Sequence, residues 1–423
     1  MAEKVLVLGA GNFGTCLADH LSDLGTDVTI WARDHNVVDG INQHHRNIKY
    51  MKNDDLHKNL KATSSLTPQL IKSATTILVS IPTQHMRSIL EAHFTASELR
   101  ETLINQLHIY VNKGIEISTG MLPYQIVDEV MGKALGDSAV YLSGPSFAAE
   151  VIKRQPTAVA VASRTRDRAL RAQRLFHAPH FRVYDTPDII GVEICGALKN
   201  VIAIAAGASV AQDFQQNTRA ALITRGLAEI TRIGVALGAN PITFQGLAGV
   251  GDLLLTCTSE KSRNFTLGYR LGQGEQVEHV LNTLGSVAEG YETSKAAYEL
   301  CRKIHADSPM VDSVYAVCHR GAPVREMMSK VMGRPPKSEL YGLPGHEDEI
   351  ADDGNYTNPD KFVENVVEMK EADGGRTRSY DTVLKAVDQL EDHYSKWIAQ
   401  VTPVLIIHIC KLLIAIWTSF DLP

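Results

Sequence analysis

The sequence lacks an excess of basic residues, and it lacks clustered cysteines. Its 42 Lys and Arg residues face 48 Asp and Glu residues, so the net charge is −6 at pH 7, without the basic excess typical of nucleic-acid-binding proteins. Its six cysteines are scattered and form no C-x-x-C pair, which argues against a disulfide framework or a zinc site. We therefore expect no metal and no nucleic-acid partner. A strand pattern begins by Val5, so we expect no signal peptide and a cytoplasmic location.

Long apolar stretches are also few. One of them, Ile189 to Ala211, carries Glu193, Lys199 and Asn200 among small aliphatic residues. A helix that is apolar on all sides is typically buried, and a buried ammonium group needs a partner or a purpose. The charges make a transmembrane helix an unfavourable interpretation. Taken alone, this stretch leaves Lys199 as either a structural lysine or one that takes part in chemistry.

A glycine-rich turn follows the first predicted strand, Lys4 to Leu8, and opens the first predicted helix. The next strand, Asp27 to Trp31, completes a βαβ unit around G-x-G-x-x-G, and this context indicates dinucleotide binding. Gly9 allows the tight turn, Gly11 lets a pyrophosphate approach the backbone, and Gly14 lets the helix pack closely on the strand.

The end of the second strand bears on the choice between NADP and NAD. The acidic residue that usually binds the ribose 2′-hydroxyl is not at its expected place, where the chain reads W-A-R-D. Arg33 can contact a 2′-phosphate, so we expect NADP to be accepted. The adjacent Asp34 leaves NAD open as a cofactor.

Strands and helices continue to alternate through the N-terminal half. Further strands are predicted at residues 75–81, 108–111, 139–142, 157–162 and 181–184. The alternation predicts a mostly parallel, doubly wound α/β sheet of Rossmann-like type, whose ligands gather at the carboxyl ends of the strands. Pro82, Lys113 and Gly144 follow such strands. Lys113 is then either a functional group or a solvated loop residue.

After Pro187 the strand patterns disappear, and Ala- and Leu-rich helical patterns continue to about residue 332. We therefore predict a Rossmann-like domain over 1–187, an all-α domain over 188–334 and a C-terminal extension over 335–423. In the helical domain, a glycine-bracketed turn delivers Asp252, and Arg263 offers a planar guanidinium suited to a phosphate. The structural alternatives are a helix N-cap for Asp252 and an ordinary salt bridge for Arg263.

Several motifs occur in one order: G-A-G-N-F-G-T, N-K-G, S-G-P-S-F-A-A-E, G-A-L-K-N-V-I-A-I-A-A-G, R-A-A-L-I-T-R-G-L-A-E, L-A-G-V-G-D-L-L-L-T-C and S-R-N. Over about residues 3–333 the chain resembles the soluble, bacterial-type NAD(P)-dependent sn-glycerol-3-phosphate dehydrogenases. The resemblance implies hydride transfer between NAD(P)H and dihydroxyacetone phosphate, which yields sn-glycerol 3-phosphate. It also implies a role in supplying that product for glycerophospholipid synthesis.

The resemblance further implies roles for individual residues. Lys199 corresponds to the proton donor and acceptor, and Lys113 to a second active-site lysine. Asp252 corresponds to the partner of the catalytic lysine, with Asn200 and Thr256 nearby. The implied substrate contacts are Lys113, Gly144, Ser146, Lys199, Asp252, Ser262, Arg263 and Asn264. The implied cofactor contacts, besides the three glycines, are Asn12, Phe13, Arg33, Lys113, Ala148, Arg263, Val287 and Glu289.

These roles suggest how Lys199 would be tuned. Burial and the charge of Lys113 favour its neutral form, whereas Asp252 favours its charged form. A balance between these effects suits a reversible proton shuttle.

Two other functions remain open. One is a two-domain dehydrogenase of the β-hydroxyacid type, against which the S-R-N and L-A-G-V-G-D-L motifs argue. The other is a non-catalytic NADP-sensing protein, against which the presence of both Lys199 and Asp252 argues.

The resemblance says nothing about the extension after Arg334. Pro335 and Pro336 predict a linker, and the apolar spacings at 362–369 and 380–401 predict amphipathic helices. Residues 404–417 form an apolar run too short to span a bilayer, so we expect no transmembrane helix there. Self-association or weak membrane-surface binding through this extension are the alternatives. We expect a homodimer.

Overall fold

The N-terminal half of the chain folds around an eight-stranded sheet in the computed structural model, which describes residues 3–285 and 287–342. The strands, β1 to β8 in chain order, are Lys4–Leu8, Asp27–Trp31, Lys61–Thr63, Thr76–Val79, Leu107–Tyr110, Val140–Ser143, Thr157–Ala162 and Phe181–Thr186. Their order in the sheet is β3-β2-β1-β4-β5-β6-β7-β8, and only β6 and β7 pair antiparallel. The predicted mostly parallel sheet is confirmed, and β3 is an additional edge strand that the sequence patterns did not indicate.

Helices cover both faces of the sheet because successive strand side chains alternate in direction. These helices, α1 to α9, are Asn12–Asp23, His35–His44, Pro68–Ser73, Thr83–Phe94, Arg100–Asn105, Pro123–Met131, Lys133–Ser138, Ala148–Val151 and Arg166–Phe176. Val5 and Val7 belong to the core under α1, α2 and α9, whereas Leu6 and Leu8 belong to the core on the opposite face. The predicted doubly wound arrangement is therefore present.

The C-terminal half is helical throughout residues 189–285 and 287–332, apart from its turns. Its helices, α10 to α17, are Ile189–Ala211, Gln216–Ala236, Asp252–Thr258, Arg263–Gly272, Val277–Thr283, Glu289–Lys303, Pro309–Arg320 and Val324–Met332. A 3₁₀ turn at Pro241–Gln245 and a π turn at Leu247–Gly251 lead into α12. The predicted change from α/β to all-α is confirmed.

Helix α10 lies at the centre of this helical half. Its length and apolarity alone would suit a membrane span, but 89% of its most apolar 18-residue window is buried inside the protein. A Cβ on Gly207 would lie 1.9 Å from the carbonyl oxygen of Phe265, and one on Gly268 would lie 1.9 Å from that of Ile204. The absence of side chains at these glycines therefore lets α10 and α13 pack backbone to backbone.

The sheet ends at Thr186 and α10 begins at Ile189, while the described residues, 3–285 and 287–342, belong to one compact unit. The domain division at 187/188 stays a prediction. The linker that Pro335 and Pro336 predict also stays a prediction; among its described residues, the side chains of Lys337 and Tyr341 both contact Asp307. The helices predicted beyond residue 342 lie outside the described residues.

The described cysteines contribute to the core. Cys16, Cys195, Cys257, Cys301 and Cys318 are all buried and form no disulfide with one another. Cys410 lies outside the described residues.

Candidate active site

A cavity of about 800 Å³ opens at the carboxyl ends of β1, β2, β4 and β5, where these strands meet the helical half. Its lining includes residues 9–13 after β1, Arg33 after β2, residues 80–82 after β4 and Lys113 after β5. This edge is where open α/β sheets bind their ligands. The predicted cofactor and substrate residues that line the cavity are Gly9, Gly11, Asn12, Phe13, Arg33, Lys113, Ser146, Ala148, Lys199, Asn200, Thr256, Ser262, Arg263, Asn264, Val287 and Glu289.

The glycine turn leaves space for a pyrophosphate. A Cβ on Gly9 would lie 2.6 Å from the carbonyl oxygen of Ser80, and one on Gly14 would lie 2.0 Å from that of Gly9, so neither position accepts a side chain. A Cβ on Gly11 would meet nothing within 4 Å, which leaves room above the backbone. Gly11 also precedes the first turn of α1, whose amide groups can donate to phosphate oxygens. The turn therefore fits a dinucleotide.

Asp252 joins the two lysines at the inner end of the cavity. Its Oδ1 accepts a hydrogen bond from Lys199 Nζ at 2.5 Å, and its Oδ2 accepts one from Lys113 Nζ at 2.8 Å. Asp252 is 1% exposed and Lys199 is 6% exposed. The π turn at Leu247–Gly251 brings Asp252 to the start of α12. The side chain binds two ammonium groups there instead of capping the helix.

The protein environment shifts the pKa values of both partners of the buried pair, Lys199 and Asp252. Burial lowers the pKa of Lys199 to about 8, an effect that Asp252 opposes and Lys113 reinforces. Burial by itself raises the pKa of Asp252, but the charges of Lys113 and Lys199 outweigh burial and hold this pKa below its usual value. Asp252 is therefore ionised at neutral pH, while Lys199 carries a proton that it can release near neutral pH.

Thr256 fixes the orientation of Lys199. Its hydroxyl accepts a hydrogen bond from Lys199 Nζ at 3.0 Å and donates one to the carbonyl oxygen of Asp252 at 2.6 Å. Because the residues lie four apart on α12, one helical turn holds both partners of the ammonium group. The predicted proximity of Thr256 to the Lys199–Asp252 pair is thus present.

Lys113 is held by contacts from three directions. Its ammonium donates to the carbonyl oxygen of Gly144 at 3.2 Å and lies 5.7 Å from the ring centroid of Phe13. Its carbonyl oxygen accepts a hydrogen bond from Asn200 Nδ2 at 3.3 Å. Ser146 Oγ donates to the same Gly144 oxygen at 2.9 Å. Lys113 therefore connects the loops after β5 and β6 with α10.

Ser262, Arg263 and Asn264 lie where α13 begins. Ser262 Oγ caps the helix by accepting a hydrogen bond from the Phe265 amide at 3.2 Å. Asn264 Oδ1 accepts one from the Gly290 amide at 2.9 Å, which fixes the start of α15 beside that of α13. The Arg263 side chain lines the cavity. A guanidinium at the N-terminal end of a helix suits a phosphate.

The remaining predicted cofactor residues line the cavity from α8 and α15. Ala148 is the first residue of α8, and Glu289 is the first residue of α15. Val287 is 55% exposed, so its apolar side chain is available to a ligand. Burial raises the pKa of Glu289, although the charges of Arg263, Lys113 and Lys199 counteract part of this increase.

Comparison with known proteins identifies the family. The chain matches the model of the NAD-dependent glycerol-3-phosphate dehydrogenase N-terminus over residues 4–169 and that of the C-terminus over residues 188–329. It is 43% identical over 344 residues to a glycerol-3-phosphate dehydrogenase, NAD(P)+, of Limosilactobacillus reuteri (strain DSM 20016), covering 80% of this chain and 99% of that protein. The chain belongs to the NAD-dependent glycerol-3-phosphate dehydrogenase family.

Further relatives agree with this membership. A protein of Geobacter metallireducens with the same name is 44% identical over 339 residues, which cover 80% of this chain and 99% of the relative. The crystal structure of glycerol-3-phosphate dehydrogenase from Coxiella burnetii has a TM-score of 0.73 and 31% identity, covering 79% of this chain and 99% of that one. The predicted family and fold class are thus confirmed. NAD or NADP is the cofactor of this family.

Three residues that the dehydrogenase resemblance or the glycine motif selected do not line the cavity. They are Gly14, Gly144 and Asp252, and each acts from behind the cavity wall. Gly14 permits the close turn beneath α1, and Gly144 accepts a hydrogen bond from Lys113 through its carbonyl oxygen. Asp252 reaches the cavity only through the two lysines that it binds.

The dehydrogenase cavity also has lining residues that the sequence analysis missed. Lys49 and Tyr50 come from the irregular segment between α2 and β3, and Lys261 precedes the S-R-N motif. Ser80 and His85 flank Pro82 after β4, and the rule that ligands bind at strand ends could have found them. No motif or periodicity in the sequence indicated Lys49.

Proposed function

We propose that this chain interconverts dihydroxyacetone phosphate and sn-glycerol 3-phosphate with NAD(P)H, and that it supplies glycerol 3-phosphate for glycerophospholipid synthesis in the cytoplasm. Membership of the glycerol-3-phosphate dehydrogenase family supports the reaction. The observation that carries the assignment of roles is the carboxylate of Asp252 bound to Lys199 and Lys113, two lysines that line the same cavity as the glycine turn and Arg263.

Lys199 is the proton donor in this proposal. When bound, the reduced nicotinamide supplies the hydride that adds to C2 of the ketone. Negative charge then develops on the carbonyl oxygen, where the Lys199 ammonium stabilises it and transfers one proton to it. The product alcohol keeps that proton, and solvent returns another to Lys199. In the reverse direction, neutral Lys199 accepts the proton of the alcohol.

Lys113 and Asp252 set the conditions for this transfer. Lys113 adds a second positive charge at the inner end of the cavity, which stabilises the developing oxyanion. Asp252 holds both ammonium groups in place by direct hydrogen bonds. Its charge also prevents burial from neutralising Lys199 entirely.

Arg263, with Ser262 and Asn264, binds the substrate phosphate in this proposal. The three residues begin α13, whose close backbone packing on α10 fixes them relative to Lys199. A three-carbon substrate would then be held by its phosphate while its carbonyl reaches the lysines. The N-terminal glycine turn, Asn12, Phe13 and the opposite wall would hold the dinucleotide.

The experiment compares the oxidation of NADPH and NADH in the presence of dihydroxyacetone phosphate or unphosphorylated dihydroxyacetone. We expect turnover with the phosphorylated ketone and a much lower kcat/KM with the unphosphorylated one. Equal values for the two ketones would refute the phosphate assignment. No turnover with either ketone, but oxidation of a β-hydroxyacid by NAD(P)+, would instead favour the other type of two-domain dehydrogenase.

A further inference from the structure

The segment that carries Lys49 is tied to the glycine turn. The buried Asn47 donates a hydrogen bond through Nδ2 to the carbonyl oxygen of Ala10 at 2.9 Å. Three residues later, the carbonyl oxygen of Tyr50 accepts a hydrogen bond from Asn12 Nδ2 at 2.9 Å. Lys49 lies between these two anchors and lines the cavity. Its position at the rim is therefore set by the same turn that fits the pyrophosphate.

Lys49 forms an ion pair with Asp34, whose carboxylate follows the end of β2. Its Nζ donates to Asp34 Oδ2 at 2.8 Å, and Asp34 Oδ1 accepts the Asn36 amide at 3.0 Å as the N-cap of α2. The hydrogen bond from Lys49, followed by that of the Asn36 amide, lowers the pKa of Asp34. Both oxygens of this carboxylate thus have partners. In dinucleotide sites that prefer NAD, a carboxylate after the second strand accepts the ribose 2′-hydroxyl.

The charges at this end of the cavity favour an anion. Arg33, Asp34 and Lys49 all line the cavity here, so two positively charged side chains accompany one carboxylate. The Arg33 side chain is exposed and lines the same cavity as Lys49, so both cations are available to one bound ligand. A 2′-phosphate would be attracted by both of them, whereas an uncharged 2′-hydroxyl would gain little.

We propose that Lys49 is a specificity-determining residue that selects the 2′-phosphate of NADP(H). It keeps Asp34 from the ribose hydroxyls, and it adds a second cation beside Arg33. When the phosphate binds, the ammonium group can contact it without leaving Asp34, because an ammonium group has three donors. This inference rests on the dinucleotide site of the proposed function.

The test is a calorimetric titration of the full-length protein with 2′,5′-ADP and with 5′-AMP, which differ only in the 2′-phosphate. The wild-type protein should bind 2′,5′-ADP more tightly. Lys49→Met should weaken the binding of 2′,5′-ADP about tenfold, as expected for the loss of one charge-assisted contact. It should leave the affinity for 5′-AMP unchanged or increase it. Lys49→Arg should retain most of the preference.

Two further variants test whether the effect is specific to Lys49 and what the Asp34 carboxylate contributes to it. Lys61→Met is the matched control, since Lys61 Nζ lies 3.1 Å from Asp27 Oδ1 in an exposed pair outside the cavity lining. It should change neither affinity. Adding Asp34→Asn to Lys49→Met should restore part of the affinity for 2′,5′-ADP, because the unpaired carboxylate then no longer repels the phosphate.

The outcomes separate this inference from the proposed function. If Lys49→Met weakens the binding of both nucleotides equally, or of neither, the selection of the 2′-phosphate by Lys49 is refuted. Turnover of dihydroxyacetone phosphate with NADH would then leave the proposed function intact. If the wild-type protein binds neither nucleotide, the dinucleotide site is refuted and the proposed function with it.

Discussion

Two lysine–aspartate pairs contribute lysines to the lining of one cavity, and one pair is buried while the other is exposed to solvent. The pair at the inner end, Lys199 and Asp252, is 2.5 Å apart with side chains 8% and 1% exposed. The pair at the rim, Lys49 and Asp34, is 2.8 Å apart with side chains 53% and 34% exposed. The distances are similar, so the difference between the pairs lies in their contact with water.

Burial changes what a lysine can do. At the inner end, the loss of hydration lowers the pKa of Lys199 to about 8 despite its aspartate partner, which suits proton transfer. At the rim, hydrogen bonding to Asp34 is the main cause of a raised pKa of Lys49, so its charge is permanent at neutral pH. Solvent also screens this pair and weakens its contribution to stability. The inner pair is suited to chemistry and the rim pair to recognition by charge.

The largest effect should come from removing the buried ammonium group. Lys199→Met should lower kcat for ketone reduction by at least about 10²-fold, because the developing oxyanion loses its acid, while binding of NADPH persists. Steady-state kinetics and NADPH titration measure the two quantities. Lys133→Met, which removes a lysine from an exposed pair with Asp137, is the control and should leave both unchanged. Near-normal turnover of Lys199→Met would refute its role.

A smaller effect is expected at the start of α13. Arg263→Ala should raise the KM for dihydroxyacetone phosphate about 10- to 100-fold, as for a lost charged hydrogen bond, with less effect on unphosphorylated dihydroxyacetone. The ratio of kcat/KM for the two ketones is the measured quantity. A ratio that equals that of the wild-type protein would show that Arg263 does not bind the phosphate.

At the rim, Arg33→Ala should act on the choice of cofactor alone. We expect the KM for NADPH to rise about tenfold and the KM for NADH to change little, because only NADPH carries the 2′-phosphate that a guanidinium would bind. Parallel assays with the two cofactors test this. Equal changes in both would contradict a specific contact with the 2′-phosphate.

The smallest catalytic effect should come from shortening the chain. Truncation after Gly342 keeps the ion pair between Arg334 and Asp307 at 2.7 Å and the contact of Tyr341 with the same carboxylate. We expect kcat within about twofold of that of the full chain. Truncation after Met332 removes these contacts and should lower the free energy of unfolding by about 1 kcal/mol or more. Thermal unfolding of both proteins would show whether they differ.

The parts of this molecule that sequence could predict are those with a local pattern. The strand Lys4–Leu8 and the following glycines are contiguous, and α10 is a single apolar stretch that the structure reproduces with the predicted bounds. Lys113 was marked as a candidate because it follows a strand. In contrast, β3 has only three residues, Lys61–Thr63, too few to show a period.

Other features depend on contacts between distant residues. Lys113 and Asp252 are separated by 139 positions in sequence, so spacing alone could not pair them, and family resemblance supplied their association. Lys49 lies in an irregular segment whose position is fixed by the hydrogen bonds of Asn47 and Tyr50 to the glycine turn. Neither helical nor strand periodicity operates there, and the rim charges therefore became visible only in the fold.

The central claim, that burial and Asp252 together tune Lys199 as the proton donor, is tested most directly by the pH dependence of kcat/KM for reduction. Lys199 must carry a proton, so the wild-type value should decline above a pH of about 8, approaching tenfold per pH unit. Asp252→Asn removes the charge that favours protonated Lys199, so its decline should begin at a lower pH. A wild-type profile that is flat up to pH 10, or a decline that Asp252→Asn leaves in place, would contradict the claim.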